Sequence, residues 1–191
     1  MRAPMRLMMA AALVVLGAIV AWAAPAPPAQ ARTIPAGTQF NVLLQTALNS
    51  SLAKAEQRFD TASIEGVKAQ GQVVLEIGSV VRGFVSSVKP AGKEGQPGQM
   101  TLSFDELRLG DRSLRLRASV VNVLDPKRPD EARRASTASV VGGDLGMAPL
   151  LDVMVNSGGS IVSTGGIDVK LPVGVVLRLR LDQPLEVPPA R

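Results

Sequence analysis

Ser51-Leu52-Ala53-Lys54 has the Ser-x-x-Lys spacing in which a lysine assists serine attack on an acyl group. Neither the Ser-Asp-Asn nor the Lys-Thr-Gly that accompanies this motif in penicillin-recognising enzymes follows it. A surface turn is the plainer reading, and a serine hydrolase on Ser51 and Lys54 stands as a second alternative behind non-enzymatic readings. The 191 residues contain no histidine, cysteine or tyrosine. Their absence removes the Ser-His-Asp triad, the cysteine nucleophile, haem and iron–sulfur ligation, the ordinary zinc site and any disulfide. Gly142-Gly143-Asp144-Leu145-Gly146 lacks the Lys-Ser/Thr of a phosphate loop. Asp105 and Glu106 are neighbours, which on a regular strand point to opposite faces and cannot form an acid/base pair. Asp130 and Glu131 fall in a charged loop. No catalytic, cofactor-binding or metal-binding residue is expected, and no cofactor.

Four arginines form the remaining constellation. Arg115, Arg117, Arg178 and Arg180 occupy the polar positions of two alternating segments, and they merge into one cationic face if those segments are neighbours. An ordinary solvated strand face is the plain alternative. The functional reading is a docking face for an anionic envelope surface or an envelope protein, since the planar guanidinium grips carboxylate and phosphate with two parallel hydrogen bonds. From Arg32 onward there are 19 basic and 16 acidic residues, a balance of only +3, and aromatics make up 3% of the chain. Nucleic acid is not expected as a partner. No small-molecule substrate is inferred, and the oligomeric state is left open.

The elements that must position these residues read as strands. Phe40, Val42 and Leu44 alternate with Asn41, Leu43 and Gln45, and Leu177, Leu179 and Leu181 alternate with Arg178, Arg180 and Asp182. In the segment from Ser113 to Val123, Leu114, Leu116, Ala118 and Val120 share one face, and Arg115, Arg117 and Ser119 share the other. Val80 to Val88 and Met100 to Leu109 behave similarly. Such alternation puts one face in a core and one in water. Leu109-Gly110-Asp111-Arg112 is a short hairpin turn, and Ala91 to Gln99 is a longer loop joining another hairpin. Asp125 to Ser136 is a solvated charged excursion. The glycine-rich segment after it contains Met147 to Val155, whose composition allows a short helix.

Residues 1–31 look like an address. Arg2 and Arg6 precede the apolar run from Leu7 to Val20, Pro25, Pro27 and Pro28 end any helix, and Ala29-Gln30-Ala31 is a small-x-small cleavage site. A cleaved signal peptide places the protein in the bacterial periplasm or cell envelope. The alternative is an inner-membrane anchor over residues 7–24. N-terminal sequencing of the envelope form separates the two: cleavage leaves Arg32 first, or Ala24 if the alternative small-x-small site Ala21-Trp22-Ala23 is used, whereas an anchor retains Met1.

One pattern occurs twice without gaps. Ile34-Pro35-Ala36-Gly37-Thr38-Gln39-Phe40-Asn41-Val42-Leu43-Leu44 aligns on Leu171-Pro172-Val173-Gly174-Val175-Val176-Leu177-Arg178-Leu179-Arg180-Leu181, and Leu48 then falls on Leu185. A shorter copy lies at Leu75-Glu76-Ile77-Gly78-Ser79. Each copy reads as a turn that launches a strand, with structural roles for Pro35, Gly37, Gly78, Pro172 and Gly174. The series IPAGTQFNVLLQTALNSSL, LEIGSVVRGFVSSV, MTLSFDELRLGDRSLRL, a glycine-rich apolar segment and DVKLPVGVVLRLRLDQPLEV resembles the C-terminal β-barrel of the TrbI-like family. That family contributes this domain to the outer-membrane core complex of type IV secretion and conjugation machines. The chain is also similar, and closer in length, to small exported bacterial proteins with paired LPAGT-type strands. The secretion members cross the periplasm on a long proline-rich linker. Here only Pro25 to Pro28 separate the apolar run from the domain, too few to span an envelope at about 3.1 Å per residue.

The expected fold is all-β: a small barrel or closed sandwich over residues 32–191, with a flexible, glycine-rich and potentially helical insertion at about 124–168. The expected function is an exported non-enzymatic envelope scaffold or interaction module. A component of a type IV secretion-like transport assembly is the alternative.

Overall fold

The computed structural model describes residues 32–126, 148–150 and 152–188. The export segment at 1–31, the Gly142–Gly146 motif and the Asp130/Glu131 pair lie outside them.

The strands, in chain order, begin with β1 (Arg32–Ile34), β2 (Gln39–Leu44), β3 (Leu48–Asn49), β4 (Arg58–Ser63) and β5 (Val67–Ala69). They continue with β6 (Gln72–Leu75), β7 (Val80–Lys89), β8 (Gln99–Leu109), β9 (Arg112–Asp125) and β10 (Ala148–Pro149). The last are β11 (Val153–Val155), β12 (Ser160–Ser163), β13 (Lys170–Leu171), β14 (Val176–Leu181) and β15 (Leu185–Val187). Six of them close an antiparallel barrel in the order β2-β4-β7-β8-β9-β14, with β14 returning to β2. Among the described residues no helix is long and apolar enough to cross a membrane.

Alternation fills the barrel. Phe40, Val42 and Leu44 point inward from β2, and Leu177, Leu179 and Leu181 from β14, all of them buried. From β8 come Met100, Leu102, Phe104 and Leu107, and from β9 Leu116, Ala118 and Val120. The rings of Phe59 and Phe104 meet edge-to-face, with centroids 5.4 Å apart. Gly83 on β7 makes room for them. A Cβ there would lie 2.6 Å from the Ser103 carbonyl oxygen and 2.7 Å from Cζ of Phe59.

Two expectations need correction. The first concerns Asp105 and Glu106, where a bulge in β8 pairs Arg82 with Glu106 and Gly83 with Phe104. The extra residue cancels the alternation, so both carboxylates face outward and each meets an arginine of the outer wall. The second concerns Met147 to Val155. Its described residues are strands rather than helix: Ala148–Pro149 pairs with β9, and Val153–Val155 with β12. The cause lies in the barrel wall. Beyond the Ser103–Ser119 pair, β8 and β9 separate, and β12 takes the free side of β8 through residues Gln99 to Thr101. A run too short to prefer helix or strand by itself takes the strand form because a ladder is waiting for it.

The repeated turns have one geometry. Gly37, Gly78 and Gly174 have φ of 84°, 85° and 91°, and in each turn the residue after the glycine donates its N–H to the carbonyl three residues back, at 3.3, 3.1 and 3.3 Å. These are type II turns, whose third position requires positive φ. Each one also clasps the end of a neighbouring strand. The Gly37 N–H donates to the Leu181 carbonyl at 2.7 Å, and the Leu181 N–H donates to the Thr38 carbonyl at 2.9 Å. Gly174 and Val175 hold Leu44 in the same way, at 2.9 and 2.8 Å, and Gly78 and Ser79 hold Ser63. Outside the barrel sheet, β1 pairs with β15, so Ile34 faces Leu185, and β3 pairs with β13, so Leu48 faces Leu171.

Nothing lies within 4 Å of a Cβ built on Gly37 or Gly174, so a side chain there meets backbone strain alone. Gly37→Val and Gly174→Val are each expected to lower stability by about 1–3 kcal/mol. Urea unfolding measures it, and parental midpoints in both variants would refute the turn assignment.

Candidate functional site

The four arginines part company in three dimensions. Strands β9 and β14 are neighbours, but their register sets Arg178 opposite Asn122 and Arg180 opposite Ser119. Arg115 lies farther along β9, opposite Glu106 of β8. Arg178 is half-buried and donates from Nε to Oδ1 of Asn41 at 3.2 Å, a residue only 2% exposed. Its place is in the barrel seam rather than on a docking face. Arg180 is exposed beside a small hollow of about 220 Å³ shared with Ser119, Val155, Asn156 and Gly159.

Arg115 and Arg117 stay together. Both are exposed, two residues apart on one face of β9, and they line a hollow of about 440 Å³ with Asp105, Leu116, Gln183 and Pro184. Neither guanidinium makes a hydrogen bond or ion pair among the described residues. The surrounding acids are already engaged. Asp105 accepts from Nη1 of Arg58 at 2.6 and 2.8 Å, and that guanidinium also sits 5.3 Å from the centre of the Phe84 ring. Asp60 accepts from Nε of Arg82 at 2.8 Å, and Glu106 lies 3.6 Å from Arg82. Glu106 also accepts from Arg108 at 2.9 Å and from the Ser113 hydroxyl at 2.8 Å. These contacts, the Arg108 hydrogen bond foremost, hold the Glu106 carboxyl below its ordinary range. The Asp182 carboxylate accepts from Ser119 at 2.6 Å. Exposed pairs of this kind add little stability. Their effect here is on charge: they use up the nearby carboxylates and leave Arg115 and Arg117 without a counter-ion.

Ser51 and Lys54 are each held by a neighbouring side-chain amide. The Ser51 hydroxyl and N–H both donate to Oδ1 of Asn49, at 2.9 and 3.0 Å, and the Lys54 N–H donates to Oε1 of Gln57. This is a side-chain-stabilised turn. No group of three or more acidic residues, histidines or cysteines able to hold a metal occurs among the described residues.

Asp168, which sequence reasoning did not single out, ties three segments together. Its Oδ1 accepts from the Ala91 N–H at 2.8 Å and from the Ser50 hydroxyl at 2.9 Å, and the Ser50 oxygen accepts from the Val169 N–H at 3.0 Å. The buried Ser50 hydroxyl donates its proton to this contact and so links the two segments. The Ala91 N–H first, then Ser50, hold the Asp168 carboxyl below its ordinary value of 3.8. A carboxyl with a depressed folded-state value stabilises the fold above the unfolded value, and that contribution disappears as the pH falls through the folded one. Asp168→Asn is therefore expected to be less stable than the parent at neutral pH, with the gap in urea midpoint closing on acidification below the ordinary carboxylate value. A gap that stayed constant with pH would contradict this role.

No family model and no curated protein matches the sequence. Among solved structures, the chain is similar to ComB10 of the Com type IV secretion system of Helicobacter pylori, with 12% sequence identity and a TM-score of 0.47, over 84% of this chain and 93% of that one.

Proposed function

We propose that this protein is a non-enzymatic scaffold or interaction module of the bacterial envelope, docking an anionic partner on Arg115 and Arg117. The observation that supports it is the pairing of two exposed guanidiniums without counter-ions beside a hollow walled by Gln183 and Pro184. Side chains two apart on a strand share a face and sit roughly 6.6 Å apart, close enough to engage adjacent carboxylates or phosphates on one partner. No bonds inside the protein need to break first. A component of a type IV secretion-like assembly is the second reading, favoured by the order of the TrbI-like motifs along the chain. A hydrolase on Ser51 is the least supported, because its hydroxyl is committed to Asn49.

Capture of envelope components by the purified protein tests this reading. The parent is expected to retain a partner whose binding weakens with salt, and Arg115→Glu with Arg117→Glu is expected to abolish capture at unchanged melting temperature. Equal capture by parent and double variant would leave the arginines as an ordinary solvated face. Recovery of secretion ATPases or a lipoprotein ring would select the transport reading, and acylation of Ser51 by a penicillin-type reagent would select the hydrolase.

A further inference from the structure

A second surface feature has a different chemistry. The short ladder of β3 and β13 places Leu48 against Leu171 and Asn49 against Lys170. Leu48 and Leu171, 2% and 1% exposed, floor a hollow of about 540 Å³ whose lining also includes Ala47, Ala53 and Pro172. At its lip Leu52 is 77% exposed, on the turn that Asn49 stabilises, and the residue that follows the lining Pro172 in sequence, Val173, is 61% exposed. Two large aliphatic side chains thus stand in water beside an apolar trough of the volume that small ligands occupy.

The polar atoms at this hollow are one-sided. The carbonyl oxygen of Asn49 is taken by the N–H and hydroxyl of Ser51, and that of Gln57 by the Lys54 N–H at 3.1 Å. What remains to the lining side chains is two amide nitrogens and the Lys170 ammonium, all donors. No carboxylate lines the hollow. The Lys170 ammonium makes no hydrogen bond or short ion pair among the described residues, and Asp168, the carboxylate that feels its charge, already accepts from Ala91 and Ser50. An apolar floor with a rim of donors and one cation complements a ligand with an apolar tail and an acceptor-only, negative head.

We propose that the β3–β13 hollow binds a single-chain amphipathic anion, an acyl or alkyl chain ending in a carboxylate or phosphate, with the tail over Leu48, Leu171 and Leu52 and the head at Lys170. The site is separate from the Arg115–Arg117 groove and does not rest on the reading given to it.

Calorimetric titration of the purified full-length protein with dodecanoate below its micellar concentration tests the proposal. Dodecanoate is expected to bind, and dodecanol or butyrate to bind about tenfold more weakly, because each lacks one half of the match. Leu52→Asp is expected to weaken dodecanoate about tenfold or more, and Lys170→Ala about tenfold while leaving dodecanol unchanged. Both side chains are exposed, so the variants should retain the parental melting temperature, and the Arg115→Glu, Arg117→Glu protein should bind as the parent does. Dodecyl phosphate binding in place of dodecanoate would support the site with a phosphate head. The proposal is overturned if neither anion binds, if both single variants bind dodecanoate like the parent, or if binding appears only with intact phosphatidylglycerol vesicles, which would make the exposed leucine a membrane contact instead.

Discussion

The antiparallel pairing of β2 with β14 joins the two ends of the described chain, and the remaining wall of the barrel hangs between them. Residues 137 apart are equivalent in sequence, and the pairing exchanges them. Phe40 faces Leu179 and Val42 faces Leu177, while Ile34 faces Leu185 and Leu48 faces Leu171. Asn41 alone faces its own equivalent, Arg178. A pseudo-two-fold axis therefore passes through the Asn41–Arg178 hydrogen bond, and each type II turn reaches across it to hold the last residue of the other copy's strand. A closed sheet has no edge to template aggregation, so this seam removes the edges that two long apolar strands would otherwise present.

The surface chemistry follows from the same seam. Once β14 lies against β2, its other side fixes β9 by setting Leu181 against Ala118 and Arg180 against Ser119. That register sets Arg178 opposite Asn122 and Arg180 opposite Ser119, and Gln183 and Pro184 come to lie alongside Arg115 and Arg117. The outer wall then sorts its charges: Arg58, Arg82 and Arg108 neutralise Asp60, Asp105 and Glu106, and Arg115 and Arg117 of β9 are left over. The amphiphilic hollow lies where the outlying copies meet, with Leu48 and Leu171 on its floor. Cationic groove and apolar trough are separate products of one closure.

Period-two alternation in Phe40-Val42-Leu44 and Leu177-Leu179-Leu181 was enough to read the barrel's inner face, because burial on one side of a pleated strand leaves no other arrangement. The bulges were not legible. One extra residue beside Glu106 turned two carboxylates to the same side, and a register shift between Arg178 and Leu179 set Arg178 opposite Asn122. Both depend on how a neighbouring strand passes, which no local window contains. The same holds for Val153 to Val155, which pairs with β12 once β12 has taken the open edge of β8, and for Asp168, whose partners Ala91 and Ser50 lie 77 and 118 residues away. Of the candidate site, the residue types and their strand faces were readable, and the register that spaces them was not.

Native-state amide hydrogen exchange across the seam tests the central claim most directly. The Leu44 and Leu181 amides donate to Val175 and Thr38, the clasps that join the two copies. If this closure holds the barrel as one cooperative unit, both amides exchange only through global unfolding, with the same free energy and denaturant dependence as Leu102 and Phe104 in the middle of β8. Exchange of Leu44 and Leu181 through a smaller opening, while β8 remains protected, would show that the last strand peels away from a core that stands without it.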